Sequence, residues 1–197
     1  MTCGGRLEKQ LASKPFAGSQ GAMLEKGMRY SSTQQESSSG VHQQCQAGLP
    51  EGHIERVADG DTLTIITPNQ TKLCSRMFGI DAPETSKGTK FPGQPYGPEA
   101  EAYLKQLVEG KRVTVEIYQV DRYKRLLSTI FLDGKDINLA MIEAGLAEVY
   151  RGPESGNPYK PQYQAAEEAA RSATKGMWIL GNTYESSRAY RKREGIR

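Results

Sequence analysis

Arg76-Met77-Phe78-Gly79-Ile80-Asp81-Ala82-Pro83-Glu84-Thr85 closes an apolar stretch with a cation, two carboxylates and a proline turn. The residues leading into it alternate, with Leu73, Ser75 and Met77 on one face and Cys74, Arg76 and Phe78 on the other. That period of two predicts a strand over residues 71–80. Apolar strands rarely finish with so much charge unless the charge has a job. Two more clusters flank this one, the acidic turn Asp59-Gly60-Asp61-Thr62 upstream and Asp121-Arg122-Tyr123-Lys124-Arg125 downstream.

Working outward, residues 53–58 and 62–67 are β-rich runs joined by Asp59-Gly60-Asp61, a strong turn signal. A loop rich in Pro, Gly and Lys follows from Asp81 to Tyr96. Gly97-Pro98-Glu99 opens a helix, since proline suits the first helical position and an acid suits the positive end of the helix dipole. Gly110 stops it. Residues 112–120 and 126–132 read as strands four and five, the latter closed by Asp133-Gly134. Helices are predicted over about 138–144 and about 161–175. Strands in runs, separated by one helix, argue against a parallel sheet with alternating helices. The expected fold is α+β: a five-stranded OB-fold β-barrel with three packed helices, a fold whose open face often meets oligonucleotides.

The 197 residues suffice for one domain of ordinary size plus a tail. Residues 1–51 carry scattered Gly, Ser and Gln without helical or strand periodicity. Such a segment cannot offset its ordering entropy, so it is expected as a disordered tail or as an artefact of expression or of the gene start. The folded domain is expected over 52–181 and a basic C-terminal tail over 182–197. That tail, with Arg188, Arg191, Lys192, Arg193 and Arg197, either raises non-specific affinity for polyanions or is a solvated end. The net charge of +3, from 26 Lys+Arg against 23 Asp+Glu, is too small to establish nucleic-acid binding by itself. Cys3, Cys45 and Cys74 form no CxxC pair, which argues against a zinc site or a disulfide framework. No apolar run approaches the ~18 residues of a membrane span. The first thirty residues show no secretory signal, so a cytoplasmic location is the default expectation.

Three kinds of chemistry are candidates. Asp61 and Asp81, each at a strand end, suit a hard cation such as Ca²⁺ together with a backbone carbonyl and waters; alternatively they do turn chemistry only. Glu84, three residues after Asp81, can take a proton from a water, or is a surface glutamate in a loop. Arg76 and Arg125 offer planar forks of donors that match phosphate oxygens, although Arg122-Tyr123-Lys124-Arg125 also reads as a solvated hairpin tip. Lys87 and Lys90 on the following loop add phosphate contacts or are simply solvated. A hydrolase acting on sugars through a carboxylate pair explains neither arginine.

In combination these motifs resemble the thermonuclease (staphylococcal nuclease-like) family. The resemblance rests on Asp59-Gly60-Asp61-Thr62, Arg76 to Thr85, Tyr96-Gly97-Pro98-Glu99-Ala100, Asp121 to Arg125 and Gly145-Leu146-Ala147, in the family's order, over about residues 53–180. It implies a Ca²⁺-dependent OB-fold nuclease that hydrolyses phosphodiesters in DNA and RNA and leaves 3′-phosphates, acting as a monomer with no membrane partner. Carried over by position, Asp61 and Asp81 match the carboxylate metal ligands. Ala82 stands where the best-known member has Thr, a ligand acting through its main-chain oxygen. Glu84 matches the general base, and Arg76 and Arg125 match the two catalytic arginines. Tyr123 and Tyr150 match aromatics near the nucleotide, and Arg122 and Lys124 flank the first. Family members are often exported. A shallow barrel face with Tyr123 and nearby cations favours single-stranded substrate. The competing reading is a non-catalytic OB-fold module that binds nucleic acid or protein.

Overall fold

A computed structural model describes residues 50–153 and 156–196. The expectation for the N-terminal tail lies outside the described residues. Five strands form the barrel: β1 (Glu51–Asp59), β2 (Thr62–Ile66), β3 (Lys72–Met77), β5 (Arg112–Val120) and β6 (Leu126–Leu132). Their order is β3-β2-β1-β5-β6, with β6 returning to pair with β3. All neighbours are antiparallel except the closing pair, in which β3 and β6 run parallel. Two short strands, β4 (Ile80–Asp81) and β8 (Glu148–Val149), pair beside the barrel, and β7 (Lys135–Asp136) extends β6. The helices are α1 (Gly97–Val108), α2 (Ile137–Glu143), α3 (Lys160–Ser172) and α4 (Ser187–Glu194), with a 3₁₀ segment over Gly176–Thr183. The five-stranded barrel with packed helices is the expected architecture, with α4 as a further helix. Among the described residues no helix is long and apolar enough to cross a membrane.

Side-chain alternation places the core inside the barrel. Ile54, Val57, Leu63, Ile65, Met77, Val113, Val115 and Ile130 point inward, and Leu104, Val108, Met141 and Ile142 cover the open end. A bulge between Ile54 and Arg56 shifts the alternation of β1, so that Ile54 and Val57 are both buried. At the closing seam Ser75 and Ser128 share a buried hydrogen bond of 2.6 Å. Each hydroxyl satisfies the other where an apolar side chain would otherwise stand.

The strand predicted over 71–80 is not continuous. Gly79 has a φ of +79°, a left-handed conformation that a side chain resists. The chain therefore leaves β3 after Met77 and re-enters as β4, which pairs with β8 (Ile80 opposite Val149, Asp81 opposite Glu148). The segment 182–197, expected as a basic tail, contains α4. Its cap Ser186 accepts from the Ala189 amide at 3.2 Å, and its Tyr190 is buried.

Asn138, wholly buried, ties the barrel to α2. Its side chain donates to the Phe78 carbonyl at 2.9 Å and accepts from the Ile130 amide at 3.1 Å. Asn138→Ala strands a buried donor and a buried acceptor. It is expected to cost ~2–4 kcal/mol, read as a lower urea midpoint at unchanged m-value. A midpoint equal to wild type would remove this tie from the account.

Candidate active site

Asp61 follows the β1–β2 turn, Arg76 lies in β3, and Asp81 ends β4. The register puts Arg76 opposite Thr62 across one edge and Leu127 across the closing seam. Arg76 therefore faces the start of β2 from the next strand. Its Nη2 lies 2.8 Å from Asp61 Oδ2 and 2.7 Å from Asp81 Oδ1. Two buried carboxylates thus converge on one cationic nitrogen. Asp61 also accepts from the Thr62 hydroxyl at 2.9 Å and, at 3.5 Å, from the Ala82 amide. The Ala82 amide therefore faces Asp61.

Glu84 sits just beyond Pro83 and is buried. Its backbone is held on both sides by Gln94, whose side-chain oxygen accepts from the Glu84 amide at 3.1 Å while its amide donates to the Glu84 carbonyl at 2.8 Å. Gly97 makes this approach possible, because a Cβ there would lie 2.4 Å from the Glu84 carbonyl oxygen. The Glu84 carboxylate accepts from Lys87 at 2.8 Å on one oxygen and from Arg191 at 2.7 Å on the other. Burial pushes the Glu84 carboxyl up, but Lys87 and Arg191 outweigh it and hold it below its ordinary value. Asp59 is opposite in character. Burial first, and then repulsion from Asp61 and Glu84, push it up to about 6, against the Gly60 amide and Lys87.

Arg191 enters from α4. It forms a two-pronged pair with Asp81, Nη1 to Oδ1 at 2.9 Å and Nη2 to Oδ2 at 2.7 Å, besides its contact with Glu84. Burial opposes its charge, and Asp81 and Glu84 more than offset this, so its pKa lies above the ordinary value. Burial likewise pushes Asp81 up, with Arg191 and then Arg76 pulling it down. The sequence alone puts Arg191 in a basic tail that either raises affinity for polyanions or is a solvated end, and the structure puts it in the site. The available signals were Ser186 as a cap, Gly195 as a stop with φ of +66°, and one tyrosine among the charges.

The third cluster forms the β5–β6 hairpin. Asp121 organises it, accepting from the amides of Tyr123 at 2.8 Å and Arg125 at 2.9 Å and pairing with the Arg125 guanidinium at 2.8 Å. The guanidiniums of Arg122 and Arg125 lie 4.8 and 5.3 Å from the centre of the Tyr123 ring, which is half exposed. The three clusters meet at a cavity of about 800 Å³. Of the residues singled out from sequence, Asp61, Arg76, Glu84, Lys87, Arg122, Tyr123, Arg125 and Tyr150 line it. Asp81 and Ala82 lie buried beneath, while Lys90 and Lys124 stand outside the lining. Lys90 rests over Phe91. Lys87, for which the sequence offers a phosphate contact or a solvated position, pairs with Glu84 and, at 3.5 Å, with Asp59. Buried carboxylates need a cation more than an exposed loop does.

The donor set fits a hard cation. Asp61 Oδ2 and Asp81 Oδ1 face one point, which Arg76 Nη2 occupies, so an ion touching both there would take that nitrogen's place and leave Arg76 its other donors. Among the described residues no three His, Cys, Asp or Glu side chains converge as a metal cluster. Such an ion would complete its shell with backbone oxygen and water, as calcium does.

The description "Staphylococcal nuclease homologue" belongs to the family model that matches residues 75–180. The chain is 40% identical over 126 residues to a "Probable endonuclease lcl3" from Botryotinia fuckeliana, covering 60% of this chain and 47% of that one. It is 39% identical over 153 residues to a "Probable endonuclease LCL3" from Colletotrichum graminicola, covering 70% and 55%. It is 32% identical over 143 residues to an "Uncharacterized endonuclease" from Haemophilus influenzae, covering 73% and 74%. The chain thus spans about half the length of the fungal relatives it matches.

Gln94 also donates to the Glu185 carbonyl at 2.9 Å, so it joins the Glu84 loop to the segment leading into α4. Gln94→Ala should speed hydrogen exchange at the Glu84 amide about fivefold, from a lost bond of about 1 kcal/mol. An unchanged exchange rate would show that Gln94 does not hold the loop.

Proposed function

The chain belongs to the family of staphylococcal nuclease homologues, and from that premise we propose that it is a calcium-dependent nuclease. Its reaction is hydrolysis of phosphodiester bonds in DNA and RNA, with single-stranded substrate preferred and 3′-phosphates as products. The observation that carries this reading is the meeting of Asp61, Arg76, Glu84 and Arg125 around one open cavity.

Calcium, held by Asp61, Asp81 and the Ala82 main chain, would supply electrostatic attraction for a non-bridging phosphate oxygen. The chain's own groups do the rest. Arg76 commits one nitrogen to Asp61 and Asp81, and its remaining donors are left for the phosphate. Arg125 is oriented by Asp121 and offers a second fork from the hairpin. Glu84, buried and ionised, orients a water and takes its proton. The water oxygen bonds to phosphorus, the P–O5′ bond breaks, and O5′ takes a proton from solvent water to leave as a 5′-hydroxyl, while Glu84 returns its proton to solvent. Charge grows on the phosphate oxygens in this step, so fixed guanidiniums matter more in the transition state than in binding. Tyr123, flanked by Arg122, offers a face on which an unpaired base stacks, with Tyr150 on the cavity wall. The preference for single strands follows from that exposed ring, which a paired base cannot reach.

The direct test is single-stranded DNA with calcium and then with chelator. Cleavage in calcium alone, with 3′-phosphate ends by mass spectrometry, is expected. Binding without cleavage in both would replace the enzyme with a binding module. Arg76→Ala and Arg125→Ala should each lower kcat ~10²–10³-fold with a smaller change in KM. Glu84→Gln should lose ~10²–10⁴-fold, and full activity in that variant would exclude Glu84 as the base.

A further inference from the structure

The feature left unused by that reading is Arg191. It is a well-anchored contact. The Ser187 amide donates to Glu148 at 3.1 Å, and the Tyr190 hydroxyl accepts from the Gly93 amide at 3.0 Å. Both Ser187 and Tyr190 are buried. The next side chain is thereby directed onto Asp81 and Glu84.

We propose that Arg191 is a resident cation of the metal site, which competes with the divalent ion for Asp81 and so sets the site's metal affinity. This rests on the calcium reading above and names how that same site is regulated.

Two arguments carry it. The first is lone pairs. A carboxylate has about four acceptor positions. Asp81 Oδ1 already accepts from Arg76 and Arg191, and Oδ2 accepts from Arg191. A calcium ion needs an oxygen at ~2.3–2.6 Å and repels a guanidinium on the same group. Both positions on Oδ1 are taken, so an ion that shares Oδ1 with Asp61 must displace a guanidinium from it, and Arg191 is one of the two that stand there.

The second is charge. Asp59, Asp61, Asp81 and Glu84 stand against Arg76, Lys87 and Arg191 in one ion-pair network. With Arg191 in place, one negative charge is left over. With Arg191 withdrawn, two are left, which is what a divalent ion neutralises. Exchange of the arginine for the metal keeps the buried cluster close to balance in both states. A buried carboxylate cluster without either cation would be strongly unfavourable.

The alternative role, support of the metal through a pre-oriented Asp81, predicts the opposite sign. Calcium binding to the full chain is therefore titrated by calorimetry, so that the readout is affinity and not turnover. Arg191→Gln is expected to bind calcium ~10-fold tighter or more than wild type. Arg191→Lys keeps the charge but loses the fork and should fall between the two. Lys192→Ala removes the same charge from the neighbouring exposed position and should stay within about twofold. Melting in chelator checks that each variant is folded; if Arg191→Gln is not, the Arg191→Lys titration decides, with tighter binding expected. Equal or weaker calcium binding in the folded Arg191 variants overturns the competition while leaving the calcium site in place. No calcium binding by any of the proteins overturns the metal reading and the competition together.

Discussion

One nitrogen, Arg76 Nη2, bridges Asp61 and Asp81 at the seam where the barrel closes. Buried carboxylates this close repel each other, and the cation between them offsets that repulsion. The placement follows from topology. Parallel pairing of β3 with β6 fixes Arg76 against Leu127, and antiparallel pairing with β2 fixes it against Thr62. Asp61 precedes that threonine, and its carbonyl accepts from the Met77 amide at 2.8 Å. Barrel closure and assembly of the site are therefore the same event. A slip of one residue in β3 would turn Arg76 inward and Met77 outward, losing the core and the site together.

A second layer of charge supports the first from behind. Glu148, in β8, accepts from Ser187 at the start of α4 and from Arg151. Arg151 also reaches Glu167 of α3 at 2.6 Å, and Glu167 accepts from the Val149 amide at 2.9 Å. Since β8 pairs with β4, this network links α3 and α4 to the strand that carries Asp81. Glu148 and Glu167 are buried, so their pairing with Arg151 is what makes the burial tolerable. The site's carboxylates are thus positioned by the strand seam on one side and by these buried ions on the other.

The barrel was legible in the sequence because its signals are local. Alternation in 112–120 and 126–132, the Asp59-Gly60-Asp61 turn and Pro98 at a helix start each act within a few residues. The break at Gly79 was also local, a glycine inside a strand pattern, but its consequence was not: β4 exists because β8 is there to pair with it. Helix α4 was hidden for a related reason. Arg188, Arg191, Lys192 and Arg193 make the segment read as solvated, and eight residues form only a marginal helix alone. Burial of Tyr190 and the Ser187–Glu148 bond hold it, and both partners lie far away in sequence. The candidate carboxylates and the two catalytic-type arginines could be picked out from their motifs. That Lys87 would turn back onto Glu84 could not, since the four carboxylates gather only in the fold.

A site built this way faces a conflict that its cations resolve. Under the proposed calcium reading it needs several carboxylates close together to hold the ion, and it needs them neutralised to fold before the ion arrives. Arg76 lies on the strand just before Asp81 and Lys87 on the same loop as Glu84, so they cannot move far without disturbing them. Arg191 comes from a separate helix. The division of labour follows from chain connectivity. Under the proposed exchange, cations near the acids in sequence serve folding in every state, and the cation delivered from far along the chain is the one that yields its place. Under the proposed function, the tightness of the α4 anchors then decides how readily it yields, which makes Ser187, Tyr190 and Gln94 part of the site although none of them carries a charge.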